Sequence, residues 1–268
     1  MIKPGEIQNK ARIVGVRDQQ IEKDYILSWI LQGVSQHKQL SKIIVFKGGT
    51  VLKKVYFKDY RFSEDLDFTL SDNEISNDQI IGWFTEVFEY LSDEANISLS
   101  IIDNNEYEDG GINFYISYVG PLGGLGANKR VKVDISRSET LEFEPIMQKA
   151  FVGYTDQKDH ELLCYPLEEV LVEKMRSVMQ RMQARDFYDI WYLLEIHGLV
   201  VNIYVAEFKT KCESKGIDPT EFRNKLEQRL PQYKGRWQSS MADQIKDLPD
   251  FGKVEREVMR HFNKIELQ

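Results

Sequence analysis

Residues 43–70, IIVFKGGTVLKKVYFKDYRFSEDLDFTL, constrain this chain more than any other stretch. A short apolar run, a glycine pair, a helix-length segment and a second, alternating run predict strand, turn, helix, loop, strand. Gly48 and Gly49 make the turn, and Thr50 is placed to cap a helix over 51–56. In 63–70, Leu66, Phe68 and Leu70 alternate with Asp65, Asp67 and Thr69, as in a half-buried strand with one acidic face. Two carboxylates on one face repel each other unless a cation or a proton sits between them. A glycine turn that opens a helix also suits a phosphate. The combination points to Mg²⁺ and a nucleotide, and it needs a third ligand from elsewhere in the chain.

Residues 130–137, RVKVDISR, offer that ligand. Val131, Val133 and Ile135 face one way and Lys132, Asp134 and Ser136 the other, which repeats the pattern around Asp65 and Asp67. Three carboxylates on strands can hold one or two Mg²⁺ ions, which take oxygen ligands and keep part of their shell for phosphates. The bland alternative for a lone D-x-D is a solvated strand face. Gly48, Gly49, Ser63 and the third strand are what favour a site.

A second group lies downstream: Lys174, Arg176, Arg181, Arg185, Asp186 and Asp189. Lys174, Arg181 and Arg185 share a helix face if one helix runs through all three, and such a basic face can clamp triphosphate oxygens. The competing reading is a charged helix exterior with local ion pairs.

The rest of the chain supplies the frame. An arm or short leading segment over 1–17 precedes a helix capped by Asp18, whose stripe (Ile21, Tyr25, Trp29; Ile26, Ile30, Val34) covers a core. A helix over 78–94 and strands over 97–102 and 111–119 follow, with a polar, acidic loop at 103–110. The loop 120–128, GPLGGLGAN, lacks dinucleotide spacing and reads as a flexible hairpin connection. From Pro166 helices dominate: one to about Met182, one from Asp186 to His197 closed by Gly198, and others over 200–214, 220–230 and 252–265. The expected division is a mixed α/β part, 1–160, and a helical part, 161–268, that share the active-site cleft.

Bulk properties narrow the classes. With 42% apolar and 12% aromatic residues the 268-residue chain is globular. A formal charge of −8 weighs against a nucleic-acid footprint spread over the whole surface, while leaving room for a local basic patch. Cys164 and Cys212 are far apart and form no metal-ligand pattern, as in a reduced cytoplasmic protein. No signal core opens the sequence and no stretch reaches membrane-span length, so no membrane association is expected.

Five motifs in order carry a resemblance: Gly48-Gly49-Thr50-Val51-Leu52; Arg61-Phe62-Ser63-Glu64-Asp65-Leu66-Asp67-Phe68; Lys132-Val133-Asp134-Ile135-Ser136; Lys174 to Arg181; and Arg185-Asp186-Phe187-Tyr188-Asp189. Together they resemble the AbiEii/AbiGii toxin family of nucleotidyltransferases, which includes the MenT toxins. Met175 and Val178 stand where that family often has Leu, an apolar swap of little consequence. The last seventy or so residues carry no matching motif.

The resemblance implies an α+β fold: a polymerase-β-like nucleotidyltransferase core with flanking helices, then a helical C-terminal part. It implies transfer of a nucleoside monophosphate from an NTP, with Mg²⁺ (or Mn²⁺ in its place) as cofactor. The acceptor it implies is an RNA 3′ end such as that of tRNA, and the partner a cognate antitoxin. By position, Asp65 and Asp67 would bind the metal, with Asp134 completing the site. Lys174 would contact the triphosphate, beside Gly48, Gly49, Thr50, Ser63 and Arg181. Asp189 would position the attacking hydroxyl or act as base. Two rivals are transfer to a protein or small molecule, as in AMPylating or drug-modifying enzymes, and a nucleotide-binding module that sequesters a partner without turnover.

Overall fold

Seven strands build one mixed sheet, and the computed structural model describes residues 1–124, 126 and 129–267. The reading of 120–128 as a flexible connection falls in part outside those residues. The chain forms two units. The first comprises Met1–Glu139, Pro145–Cys164 and Asp243–Lys246; the second comprises Thr140–Glu144, Tyr165–Ala242 and the residues from Asp247 on.

The first unit holds helices α1 (Pro4–Val14), α2 (Asp18–Gln36) and α3 (Leu40–Ile43), strand β1 (Ile44–Lys47), helical turn α4 (Gly48–Val51), strand β2 (Asp65–Leu70) and helix α5 (Asn77–Ala95). Strands β3 (Ser98–Glu106), β4 (Ile112–Val119), β5 (Arg130–Ser136), β6 (Ile146–Lys149) and β7 (Glu161–Cys164) complete it. The sheet order is β3-β4-β5-β2-β1-β7-β6. β2 lies antiparallel to β1 and parallel to β5, so the two strands that carry Asp65, Asp67 and Asp134 are central neighbours. Leu66, Phe68 and Leu70 point into the core, where Phe68 meets Phe46 at 5.5 Å and Phe84 of α5 at 6.5 Å. Each such aromatic or aliphatic side chain contributes roughly 1.5–3 kcal/mol by leaving water. Burying that face puts the alternate residues of β2 on the other side.

Several expectations need correcting. Residues 4–14 form a helix, α1, that opens on Pro4 at its first turn and buries Ile7 and Ala11, so the leading segment is no loose arm. Arg17, not Asp18, is the residue flanking the start of α2. That helix is buried on every side, including Glu22, Asp24, Ser28 and Gln32, rather than laid over a core by one stripe. Glu22, Asp24, Ser28 and Gln32 each have a partner. Lys54 reaches Asp24 at 2.7 Å and Ser28 at 2.6 Å, Lys129 reaches Glu22 at 3.0 Å, and the Lys158 N–H donates to Gln32 at 2.9 Å. β3 runs on through Glu106, past an irregularity between Ile101 and Asp103, into what the polarity of 103–110 predicts as loop. The short strands β6 and β7 have no forerunner in the sequence reading.

The second unit contains α6 (Leu167–Gln180), α7 (Ala184–Trp191), α8 (Val205–Glu213), α9 (Phe222–Met241) and α10 (Phe251–Phe262). No strand occurs in it among the described residues. Aromatic pairs form its core: Phe187 stacks on Tyr233 at 5.4 Å, and Phe222 meets Phe262 edge-on at 4.8 Å. α9 continues through Pro231 to Met241, well beyond the expected end near residue 230. Leu226, Tyr233, Trp237 and Met241 keep one buried stripe, which outweighs the hydrogen bond proline removes. α6 stops at Gln180, and Arg181 is extended (φ −126°, ψ 155°). A single helix face carrying Lys174, Arg181 and Arg185 therefore does not exist.

Candidate active site

The functional face of the sheet can be read across its register. Lys47 of β1 pairs with Asp67 of β2, which pairs with Asp134 of β5, which pairs with Asn113 of β4. One step along, Asp65 pairs with Lys132 and Lys132 with Tyr115. Paired residues in adjacent strands project to the same side. Asp65 and Asp67, i and i+2 on β2, are both half-buried and share that side with Asp134.

Two lysines temper this acidic patch. Lys132 Nζ lies 2.7 Å from Asp134 Oδ2. Burial works to lower the Lys132 pKa, but its hydrogen bond to Asp134, the charge of Asp134 and that of Asp67 outweigh burial and raise it. Lys47, buried, donates to Ser136 Oγ at 2.8 Å. Asp134 Oδ2 accepts a second hydrogen bond, from the Tyr107 hydroxyl at 2.9 Å. Burial and this carboxylate both raise the tyrosine's pKa.

The glycine turn is built around Asp67. Gly48 has φ +79°, and a Cβ there would lie 2.3 Å from Asp67 Oδ2. Glycine is thus required by backbone conformation and by the carboxylate above it. Thr50 does not cap the helix: its hydroxyl donates to the Asp65 carbonyl at 2.5 Å, fastening the turn to the start of β2. From Gly48 the chain is helical through α4 and a π-helical turn, Leu52–Tyr56, with Lys47 as flanking residue and no side-chain cap. Gly49 is buried within the turn, and Ser63 is buried in the segment before β2. The loop before β2 is held at Arg61 and Phe62. The Phe62 N–H donates to the Gln244 carbonyl at 2.8 Å, and Arg61, 2% exposed, reaches Gln244 Oε1 at 3.0 Å.

Mg²⁺ chemistry fits part of this donor set. Asp65 and Asp67 offer hard oxygen ligands on one face, with Gly48 leaving room for Asp67. Asp134 is already committed through Oδ2 to Lys132 and Tyr107. Among the described residues no group of three His, Cys, Asp or Glu side chains is arranged to hold a metal ion. Asp65 and Asp67 are the pair that would carry it, with Asp134 as their neighbour in register.

In the helical unit, Lys174, Arg181, Asp186 and Asp189 form one network. Lys174 Nζ lies 2.6 Å from Asp186 and 2.8 Å from Asp189. Arg181 grips Asp186 through Nε at 2.7 Å and Nη2 at 3.1 Å. Lys174, Asp186 and Asp189 are buried, so this is not the solvated helix exterior of the bland reading. Burial alone would raise the Asp186 pKa; Lys174, then Arg181, outweigh it and hold the carboxyl below its ordinary value. Two anions and two cations neutralise each other here, and the lysine reaches this position from the interior of α6.

Three residues of the first unit were missed: Lys47, Tyr107 and Gln244. Lys47 had a signal, a charge closing an apolar strand immediately before two glycines. Tyr107 sits in a hairpin turn whose register no local pattern fixes. Gln244 lies far downstream in a stretch without motifs.

Comparison with known proteins adds the following. A family model described as nucleotidyl transferase AbiEii toxin, type IV toxin–antitoxin system, matches residues 29–263. No curated protein matches the chain. Among solved structures, the fold is similar to MenT4, a nucleotidyltransferase toxin from Mycobacterium tuberculosis H37Rv. The TM-score is 0.63 at 18% identity, over 99% of this chain and 91% of that one. It is also similar to JHP933 from Helicobacter pylori, with a TM-score of 0.58 at 16% identity over 92% of each chain. At these identities the likeness speaks for the fold, which is that of nucleotidyltransferase toxins: a mixed sheet with flanking helices.

Proposed function

Because the chain belongs to the AbiEii nucleotidyltransferase toxin family, we propose that it moves a nucleoside monophosphate from an NTP to the hydroxyl at an RNA 3′ end, with tRNA as the favoured acceptor. The observation that carries this reading is the placement of Asp65 and Asp67 on one face, packed against a side-chain-free Gly48 and in register with Asp134. In such a transfer the acceptor oxygen attacks the α-phosphorus in line. The bond to the bridging oxygen breaks, pyrophosphate leaves, and the hydroxyl proton passes to a base or to water. Bound Mg²⁺, or Mn²⁺ in its place, would neutralise phosphate charge and orient the reacting oxygens.

This chain's own groups then divide the work. Asp65 and Asp67 would hold the ion, with Asp134, paired with Asp67 in register, as the third carboxylate. Lys47 and Lys132 keep the surrounding face from excess negative charge. Gly48, Gly49, Thr50 and Ser63 shape the turn beneath the nucleotide. Lys174 and Arg181 are the groups that would contact the triphosphate, and Asp189, 2.8 Å from Lys174 Nζ, would position the attacking hydroxyl or act as base. An antitoxin encoded as the toxin's counterpart is the partner that the family implies.

Incubating the protein with each α-phosphate-labelled NTP, in turn with total tRNA and with cell lysate, tests the acceptor. Label in tRNA is expected. Label in protein or in a small molecule instead would replace the RNA reading with its rival, which the net charge of −8 keeps in play. The double variant Asp65→Ala, Asp67→Ala should lose both transfer and growth inhibition. Growth inhibition that survives it would mean toxicity arises from sequestration and not from turnover.

A further inference from the structure

The hairpin turn between β3 and β4 has no part in the chemistry assigned so far, yet it is braced by several hydrogen bonds. Its backbone is closed by the Tyr107 N–H donating to Gly111 O at 2.8 Å and the Gly110 N–H donating to Tyr107 O at 3.0 Å. Gly110 has φ +83°. Arg137, just past β5, donates to Gly110 O at 2.8 Å, to Ile75 O at 2.6 Å and to Asn77 Oδ1 at 2.8 Å. Asn77 in turn donates to Gly110 O at 3.3 Å and to Glu106 at 2.9 Å. Ser138 donates to Asp109 at 2.5 Å. A 41% exposed tyrosine would ordinarily sample several rotamers, but this turn fixes its backbone, and its hydroxyl ends 2.9 Å from Asp134 Oδ2.

Lys132 donates to that same oxygen. With two donors on Oδ2, rotation of the carboxylate is fixed, and Oδ1 accepts no hydrogen bond among the described residues. We infer that Tyr107 is a positioning residue for the nucleotidyl transfer: with Lys132 it locks the Asp134 carboxylate so that Oδ1 is presented to the metal–nucleotide side. This rests on the function proposed above. The physical basis is general, since hydrogen bonds to a ligating carboxylate set its orientation, and their loss costs about 10–100-fold in activity or metal affinity.

The test is Tyr107→Phe, which removes only the hydroxyl. The protein used is the full chain, assayed by label transfer from NTP into tRNA, or into whichever lysate fraction accepts label. A fall in kcat of about tenfold is expected, with KM for NTP within about twofold and a higher Mg²⁺ concentration at half-maximal rate. Thermal unfolding at the wild-type temperature would show that the variant is folded. Asp134→Ala and the double variant Tyr107→Phe, Asp134→Ala complete the cycle. If Tyr107 acts through Asp134, the double variant is no slower than Asp134→Ala alone. Wild-type kcat in Tyr107→Phe beside an inactive Asp134→Ala would overturn the positioning role and leave the proposed function standing. Additive losses in the double variant would overturn it too. Full activity in Asp134→Ala would remove Asp134 from the reaction and the inference with it, without touching the Asp65/Asp67 test.

Discussion

At the scale of single residues, the site is a problem of charges placed close together. Gly48 shows how little room is left. Any side chain there meets Asp67 Oδ2 at 2.3 Å and must also accept φ +79°, which costs an L-residue about 1–2 kcal/mol before the clash. Gly48→Ala should therefore lower the thermal midpoint and abolish label transfer together, whereas an Asp67→Ala change should abolish transfer with little loss of stability. Lys174 poses the opposite problem. It is the cation between two buried carboxylates, Asp186 and Asp189. Lys174→Met leaves them facing each other and should cost about 3–5 kcal/mol in urea unfolding, the usual penalty for breaking a buried pair. The sign with pH follows from Asp186, whose folded pKa lies below its unfolded value of about 3.9. Its stabilisation is present above that unfolded value and is lost as pH falls through the folded one. Acid unfolding of the wild type should thus steepen below about pH 4, and Lys174→Met should flatten that limb. An unchanged limb would mean that Asp186 is not the group responsible.

At the scale of elements, most of what the sequence encodes locally is present. The alternation in β2 and β5 is legible because one face is buried and the side-chain period is two, so a single-residue slip would expose Leu66 and Phe68. α5 is legible from its apolar stripe, and its start is fixed by a capping box in which Ser76 Oγ accepts from the Gln79 N–H at 3.2 Å and Gln79 Oε1 from the Ser76 N–H at 3.0 Å. Ser76→Ala should cost about 1 kcal/mol in a denaturant titration and leave transfer intact. Other features were not legible, for a common reason. α2 carries buried Glu22, Asp24 and Gln32 because Lys129, Lys54 and the Lys158 N–H come to meet them from distant positions, and periodicity within one helix cannot register such partners. The stop of α6 at Gln180 depends on Arg181 turning toward Asp186, again a tertiary preference over a helical one. β6 and β7 are four residues each, too short for an alternation to stand out. Of the candidate site, the three carboxylates and Gly48 can be proposed from spacing. The clamp on Asp134 could not, because Tyr107 is brought there by strand register and a braced turn.

At the scale of the whole molecule, no single helix among the described residues is long and apolar enough to cross a membrane. The first unit is not continuous in sequence: it takes back Asp243–Lys246 after the chain has built most of the helical unit. Within that return, Gln244 holds the Phe62 N–H and the buried Arg61, two residues of the segment that leads into Asp65 and Asp67. Gln244→Ala removes a side-chain acceptor of a buried guanidinium and should cost about 1–3 kcal/mol, with a measurable loss of transfer although it lies outside every motif. Wild-type rate and stability would show the loop before β2 to be held without it.

That return also sets an order of events during synthesis. A ribosome releases Arg61, Asp65 and Asp67 early, but Gln244, which fastens their loop, lies 183 residues beyond Arg61. A nascent or prematurely terminated chain ending before Asp243 would carry every motif of a nucleotidyltransferase and still lack the clasp on its acidic strand. For a member of a toxin family, transfer would then await Gln244 and would be absent from fragments that end before it.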